Sequence, residues 1–254
     1  MDAELIIDGQ TVTAAEGSSL LSAARAAGRD VPGLCHHEAV APIASCRLCL
    51  VEVQRPGRDH VHLTTSCDYP VSAGLVVVTD SARIRTHRTM NLELLLRRAP
   101  EAPVLLALAA DLGVTTPRFA PLADASLPDC ILCELCVRVC SALGYNALAA
   151  IGRGEAKSVG PPFGLAEAPD CVGCGSCVEE CPTDCIPMVD TPTTRTIWGR
   201  TFALKACVRC GRPITTREHA AAMDAAWQLP EKDEGLCAVC KKRVVSERLA
   251  APGR

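Results

Sequence analysis

At 254 residues the chain is long enough for one large domain or two to three small ones. Its 26 basic and 29 acidic residues leave a net charge of −3, which supplies no basic field for nucleic acid or an acidic membrane surface. Seventeen cysteines stand beside only two Trp, two Tyr and three Phe, so large core formers are scarce and something besides packing must help hold the interior.

The first residues, Met1-Asp2-Ala3-Glu4, lack the positive stretch and apolar core of a secretory signal. The longest apolar stretch, near Ala102 to Ala110, falls far short of the ~20 residues a membrane helix needs. The expectation is a cytoplasmic chain without direct membrane insertion. In a reducing cytosol, cysteines this dense point to metal, and an odd number cannot all pair within one chain.

Glu4 to Asp8 alternates apolar and polar residues and is followed by Gly9 and Thr11 to Thr13, a hairpin signal. Ser18 or Ser19 then opens a helix over Leu20 to Ala27 that ends at Gly28. Leu50 to Val53 and Leu75 to Thr79 are valine-rich strand candidates. Ser81 to Arg98 carries Arg, Leu and Met without Gly or Pro and reads as a helix. After it, Pro100, Pro103, Pro117, Pro121 and Pro128 punctuate a connector with one short helix around Val104 to Leu112. Near the end, Thr215-x-x-Glu218 reads as a capping box before Ala220, Met223 and Trp227 at helical spacing. The fold class is α+β. Its expected parts are a mixed-sheet domain over 1–80, a helical, proline-rich connector over 81–127, a cysteine module over 128–195 and a cysteine-bearing extension over 196–254.

The cysteines fall into four islands. Cys130-x2-Cys133-x2-Cys136-x3-Cys140 and Cys171-x2-Cys174-x2-Cys177-x3-Cys181-Pro182 form an internal pair with the spacing of bacterial two-cluster ferredoxins. In that arrangement three close thiolates take three corners of a cubane and the fourth ligates the other cluster. Cubane A would use Cys130, Cys133, Cys136 and Cys181, and cubane B Cys140, Cys171, Cys174 and Cys177. Gly173 and Gly175 leave room for the backbone to approach the inorganic core, and Pro182 stops a helix. Two zinc sites are the weaker reading, because zinc ribbons favour separated C-x2-C pairs. Cys185 is surplus and reads as a small buried thiol.

Cys35-x10-Cys46-x2-Cys49-x17-Cys67 keeps the central C-x2-C and distant fourth ligand of plant-type [2Fe–2S] sites with a longer first gap, and by spacing alone leaves zinc open. His36 and His37 flank Cys35 and read as hydrogen-bonding neighbours of the site, since four cysteines already fill it. Cys207-x2-Cys210 and Cys237-x2-Cys240 are two knuckles of a ribbon-like tetrahedral S4 site for zinc or one mononuclear iron, which spacing does not separate.

The words "CILCELCVRVCSALGYNAL" and "CVGCGSCVEECPTDCI" resemble the dicluster ferredoxin module, which usually carries alanine where this chain has Cys185. "ELIIDGQTV", "GSSLLSAARAAG", "VPGLCHH", "SCRLCLVEV", "SCDYPVSAGLVVVT" and "SARIRTHR" resemble the N-terminal β-grasp [2Fe–2S] domain of three kinds of protein. These are the respiratory complex I 75 kDa subunit, the small diaphorase subunit of NAD-reducing hydrogenases and the N-terminal part of NAD-linked formate dehydrogenases. "FALKACVRCGRPITT" is similar to the C-terminal extension of ferredoxin subunits in formate hydrogenlyase-type complexes. The resemblance implies a [2Fe–2S] cluster on the first island. It also marks a departure: the family's His-x3-Cys-x2-Cys-x5-Cys motif would fall in "LELLLRRAPEAPVLLALAADLG", which has neither cysteine nor histidine. His87, one turn earlier, reads as an ordinary surface or packing histidine.

The expected cofactors are one [2Fe–2S], two [4Fe–4S] clusters and one Zn or mononuclear Fe. All-cysteine ligation leaves no open coordination position, and the chain has no G-x-G-x-x-G loop, P-loop or C-x3-C-x2-C radical signature. The resemblance therefore implies an electron relay to flavin- or metal-cofactor-bearing catalytic subunits of a hydrogenase or NADH dehydrogenase-like oxidoreductase. A formate dehydrogenase or formate hydrogenlyase-type complex is the alternative. A redox or metal-sensing regulator is disfavoured, because the basic patch is only Lys241-Lys242-Arg243 and no helix-turn-helix word is present.

Overall fold

Alternation builds the first sheet. In β1 (Asp2–Ile7) Ala3, Leu5 and Ile7 are buried while the residues between them face solvent. Asp8 and Gly9 both take positive φ, 48° and 79°, and turn the chain into β2 (Gln10–Ala15), antiparallel to β1 with Ile7 opposite Gln10. These features come from a computed structural model that describes residues 1–122, 129–227 and 235–250. Pro128, the last of the connector prolines, lies outside the described residues. Ser19 caps α1 (Leu20–Ala26), its hydroxyl accepting the Ser22 N–H at 3.1 Å. With β3 (Leu50–Gln54), β4 (Val61–Thr65) and β5 (Val76–Val78) the sheet has the order β2-β1-β5-β3-β4, and β1 and β5 run parallel.

β4 is a strand that the sequence pattern does not announce. Its Val-His-Leu-Thr-Thr run alternates over only four residues and leaves Val61 exposed, and it forms by pairing along the free edge of β3. Under the sheet, Leu5, Ile7, Leu20, Leu21, Val51, Val53, Leu75 and Val77 are all buried in one core. Each contributes about 1.5–3 kcal/mol relative to exposure.

Ser81 caps α2 (Ala82–Arg98), accepting the Ile84 N–H at 3.2 Å. Arg88 of α2 is buried and donates to the carbonyls of Leu48 (2.9 Å), Leu50 (2.8 Å) and Thr79 (3.0 Å), so one guanidinium clamps the chain on both sides of Cys49. Burial lowers its pKa from the ordinary value. α3 (Pro103–Asp111) starts with proline in the first turn, where a missing N–H costs nothing. Leu92, Leu95, Leu96, Ala99, Ala102, Leu105 and Ala109 of this region form a second core, shared with Cys35, Cys46, Leu48, Ile131, Cys133 and Leu135. The connector thus packs against both the first and the second cysteine islands.

Beyond it come α4 (Leu135–Ala142), a two-stranded hairpin of β6 (Ala149–Ile151) and β7 (Ser158–Gly160), and the one-turn α5 (Ser176–Glu179). A four-stranded antiparallel sheet follows: β8 (Met188–Asp190), β9 (Thr194–Ile197), β10 (Arg200–Ala206) and β11 (Pro213–Thr216) in sequential order. It runs without a break through residue 195 and joins the dicluster segment to the C-terminal extension. Thr216, one residue after the expected cap, accepts the His219 N–H at 3.1 Å and starts α6 (Arg217–Trp227), while the Thr215 hydroxyl pairs with the His219 ring at 2.8 Å. α7 (Ala238–Ala250) ends the described chain. Among the described residues no helix is long and apolar enough to cross a membrane.

Candidate metal centres

The loop between α1 and β3 carries Cys35, Cys46 and Cys49, and Cys67 follows β4; all four are buried. Positive φ at Ala44 (50°) and Arg47 (55°) curls the loop inward on either side of Cys46. The four thiols meet as two pairs. The Cys46 N–H donates to Cys35 Sγ at 3.4 Å, and the hydrogen-bonded Cys46 thiol holds Cys35 low while Cys46 is pushed up. Cys49 and Cys67 repeat this, Cys49 lowered and Cys67 raised by their mutual hydrogen bond. Two thiol pairs, held beside each other, suit two irons with two protein ligands each. Asn91 Nδ2 donates to Arg47 O at 2.8 Å and Ser66 Oγ to Cys49 O at 2.8 Å, so the loop is pinned from α2 and from the residue just after β4.

The flanking histidines do not join the thiols. His36 lines an open cavity beside Cys67 and Asp68, and its pKa is lowered first by burial. His37 accepts the Ala39 N–H on Nδ1 at 3.1 Å and sets Nε2 3.4 Å from Glu180, a residue of the third island. His87 is exposed on α2.

The second and third islands build mirrored loops. Leu132 and Glu134 have φ of 55° and 56°, and Gly173 and Gly175, at the equivalent places between cysteines, 66° and 88°. Only the second loop meets this left-handed demand with glycine. A Cβ on Gly173 would lie 2.7 Å from Phe202 Cδ2 and 2.8 Å from Thr216 Cγ2, so the loop packs directly on the C-terminal sheet.

Two small, largely apolar cavities lie inside the loops. Cys130, Cys133, Cys136 and Cys181 line the first; Cys140, Cys171, Cys174 and Cys177 line the second. The fourth cysteine of each run thus faces the cavity of the other. Cys185 also lines the first cavity, with Sγ 3.6 Å from Cys181 Sγ. Around the second cavity, N–H groups reach sulfur: Gly173 N to Cys171, Ala147 N to Cys140 and Trp198 Nε1 to Cys177, each at 3.3 Å. Burial pushes the Cys133 and Cys177 thiols up to about 12. Thiols held so high part with their protons when a cation shares the cavity, which is the chemistry of cluster loading.

Arginines hold these loops by their carbonyls, and sequence reading passed over them. Arg138 on α4 donates to Cys35 O (2.7 Å), Cys133 O (3.1 Å) and Ala41 O (2.8 Å), joining the first island to the second. Arg195 donates to Gly173 O (3.1 Å) and Cys174 O (3.0 Å), and Arg200 to Cys171 O (2.7 Å). Arg98 of α2 reaches Cys130 O at 3.3 Å. Arginine is common throughout the chain, and nothing local to these four marks them out.

At the C-terminus the sulfurs of Cys207, Cys210, Cys237 and Cys240 all lie within 4.8 Å of one another. A tetrahedral S4 site with bonds of about 2.3 Å has sulfurs roughly 3.8 Å apart. Cys210 and Cys237 are at 3.7 Å, so the donor set fits such an ion as it stands. The Cys237 N–H, donating at 3.3 Å, is the main cause of a lowered Cys207 pKa.

Known proteins share this architecture. Residues 3–82 match the 2Fe-2S iron-sulfur cluster binding domain, and residues 129–185 the 4Fe-4S dicluster domain. Fold and cysteines together define an iron–sulfur electron-transfer protein. A chain of the NAD+-reducing [NiFe]-hydrogenase, in its H2-reduced crystal structure, superposes with a TM-score of 0.62 at 30% identity over 72% of this chain and 86% of that one. An NADH-quinone oxidoreductase subunit of Rickettsia prowazekii is 31% identical over 178 residues, covering 61% of this chain and 26% of that protein. The mitochondrial NADH-ubiquinone oxidoreductase 78 kDa subunit of Candida albicans is 33% identical over 183 residues, 63% of this chain and 25% of that one. The chain therefore belongs to the family of iron–sulfur subunits found in NADH-quinone oxidoreductases and NAD-reducing hydrogenases, and it spans about a quarter of the length of these two oxidoreductase subunits.

Proposed function

We propose that the chain is the iron–sulfur relay of a multisubunit cytoplasmic oxidoreductase of the hydrogenase or NADH dehydrogenase-like kind. In this reading Cys35, Cys46, Cys49 and Cys67 hold a [2Fe–2S] cluster, and the two cavities hold [4Fe–4S] cubanes A and B on the crossed sets of cysteines. Cys207, Cys210, Cys237 and Cys240 hold one zinc or iron ion. The clusters supply one-electron chemistry. The protein's own part is to place them in sequence, keep water out and present the ends to catalytic subunits on other chains.

The observation that carries this reading is the joint between the first two sites. Cys35, Cys46 and Cys133 share one apolar core, and the Arg138 guanidinium bonds the backbone of Cys35 and Cys133 together. From cubane A the exchange of Cys140 and Cys181 carries the chain of sites on to cubane B. The cysteine-free segment of α2 and α3 is filled with leucine and alanine, so in this reading electrons would pass between the [2Fe–2S] site and cubane A without a further cluster on that segment.

Native anaerobic purification with identification of co-eluting chains, iron and sulfide analysis and EPR of the dithionite-reduced complex test the proposal. The expected result is about ten cluster irons, one [2Fe–2S] and two [4Fe–4S] signals, and co-elution with hydrogenase or flavin-bearing dehydrogenase chains. A stable, fully loaded monomer, or fewer irons, overturns it; a molybdenum or tungsten formate dehydrogenase partner replaces the proposed complex with the formate-linked one.

A further inference from the structure

The hairpin between β9 and β10 contradicts local preference. Ile197 pairs with Arg200, which leaves Trp198 and Gly199 as a two-residue loop with φ of 50° and 77°. Such a loop calls for asparagine, aspartate or glycine at its first position, because a side chain in the left-handed region crowds its own backbone. An indole there is a poor choice for the turn. Strain of this kind persists where the surroundings over-determine it, and it gathers at functional sites.

The surroundings of Trp198 do determine it. Its carbonyl accepts the Ala168 N–H at 3.1 Å, and at Gly199 a Cβ would come within 2.4 Å of Ala166 O, so the loop is pressed against residues 166–168. Held this way, the half-buried indole forms a wall of the cavity lined by Cys140, Cys171, Cys174 and Cys177. Its Nε1–H donates to Cys177 Sγ at 3.3 Å. The other cavity shows no side-chain N–H on a cysteine sulfur among the described residues: the side-chain hydrogen-bond contacts of Cys181 Sγ are Thr183 Oγ1 at 3.7 Å and the Cys185 thiol at 3.6 Å, both weaker partners.

We propose that Trp198 is a positioning residue for electron transfer, whose indole N–H bond to Cys177 favours the reduced state of cubane B. The reduced cluster carries one more negative charge, spread over its sulfurs, so a hydrogen bond to a ligand sulfur stabilises it more than the oxidised cluster. The step is the gain of one electron; no bond breaks and the proton stays on the indole nitrogen. With the cluster bound, the bond would raise the potential of cubane B relative to the other clusters and so favour residence of the electron there. This rests on the reading that Cys140, Cys171, Cys174 and Cys177 hold a cubane, which iron content and the signal of cubane B test independently.

The test is an EPR-monitored dithionite titration of the full-length holoprotein as wild type, Trp198→Phe and Trp198→Asn. Phenylalanine keeps a ring and loses the donor; asparagine suits the left-handed turn and cannot reach the sulfur. Both variants are expected to keep wild-type iron, to be less than half reduced in cubane B at the wild-type midpoint, and to leave the other two clusters unmoved. In a Trp227→Phe background labelled with 15N-indole tryptophan, reduced cubane B is expected to show a 15N hyperfine coupling. That measurement needs no change at Trp198 and decides the matter if the variants lose iron. An unmoved cubane B in the loaded variants, an equal shift of cubane A, or no 15N coupling overturns the proposal. A wild-type protein without the cubane B signal and its iron overturns the underlying cluster reading instead, and the role of Trp198 with it.

Discussion

Replacing Arg138 by methionine should loosen the joint between the first cysteine loop and the dicluster module. The guanidinium serves the carbonyls of Cys35, Cys133 and Ala41 at 2.7, 3.1 and 2.8 Å, and so ties together segments far apart in the chain. Ala41 is exposed, and its carbonyl regains water when the arginine goes; Cys35 and Cys133 are buried, and theirs do not. At about 1–2 kcal/mol for each buried carbonyl left without its partner, the loss is about 2–4 kcal/mol. Arg138 Nε is buried without a partner among the described residues, and removing it relieves a small desolvation cost, which favours the lower half of that range. At roughly 2–4 °C per kcal/mol for a chain of this size, the thermal midpoint should fall by about 4–12 °C. Loss of iron makes unfolding irreversible, so wild type, Arg138→Met and Arg138→Lys are compared anaerobically at one scan rate by the visible absorbance of the clusters. Lysine keeps the charge without the fork and should fall between the other two. A drop of less than about 2 °C for methionine, with all clusters present, would refute the clamp.

The remaining predictions concern the other centres. Cys185→Ala should keep about ten cluster irons while Cys181→Ala loses about four; equal losses in iron and sulfide analysis would make Cys185 a ligand. Cys237→Ala should release the C-terminal ion to a chromogenic chelator and leave the EPR signals of the three clusters unchanged, and loss of those signals would contradict the separation of that site. Asp190 is held below its ordinary pKa of 3.8, chiefly by hydrogen bonds from Arg195 at 2.8 Å, and Arg195 in turn holds the loop of Cys174. This contribution is complete above the ordinary value and is lost as pH falls through the lowered one. Because Asp190 is 42% exposed, it is worth no more than about 1 kcal/mol. Asp190→Asn should therefore bleach slightly faster than wild type near neutral pH and no faster in strong acid; a difference that persists in acid would remove the ion pair as its cause.

What could be read from the sequence divides by range of interaction. The helix starts at Ser18 or Ser19 and at Ser81 are legible because a cap acts within three residues, and the cysteine triplets stand out because three corners of one cubane must come from a tight run of chain. The left-handed demand of those loops is written in only one of the two repeats, as Gly173 and Gly175; Leu132 and Glu134 meet the same demand with side chains, so their loop gives no local sign of it. β8, β9 and β11 escaped because three or four residues are too few for a period of two to show, and β10 escaped although Phe202 and Leu204 alternate with exposed neighbours, because only two apolar residues carry its pattern. Arg138, Arg195 and Trp198 escaped for a different reason. Their partners are backbone carbonyls and a sulfur at least five and as many as 103 residues away, and a carbonyl acceptor is the same at every position of the chain. Trp198 alone left a trace, since tryptophan before glycine in a tight hairpin violates the turn it occupies. A residue that offends its own local structure and is held there by distant contacts is where a sequence points to function without naming it.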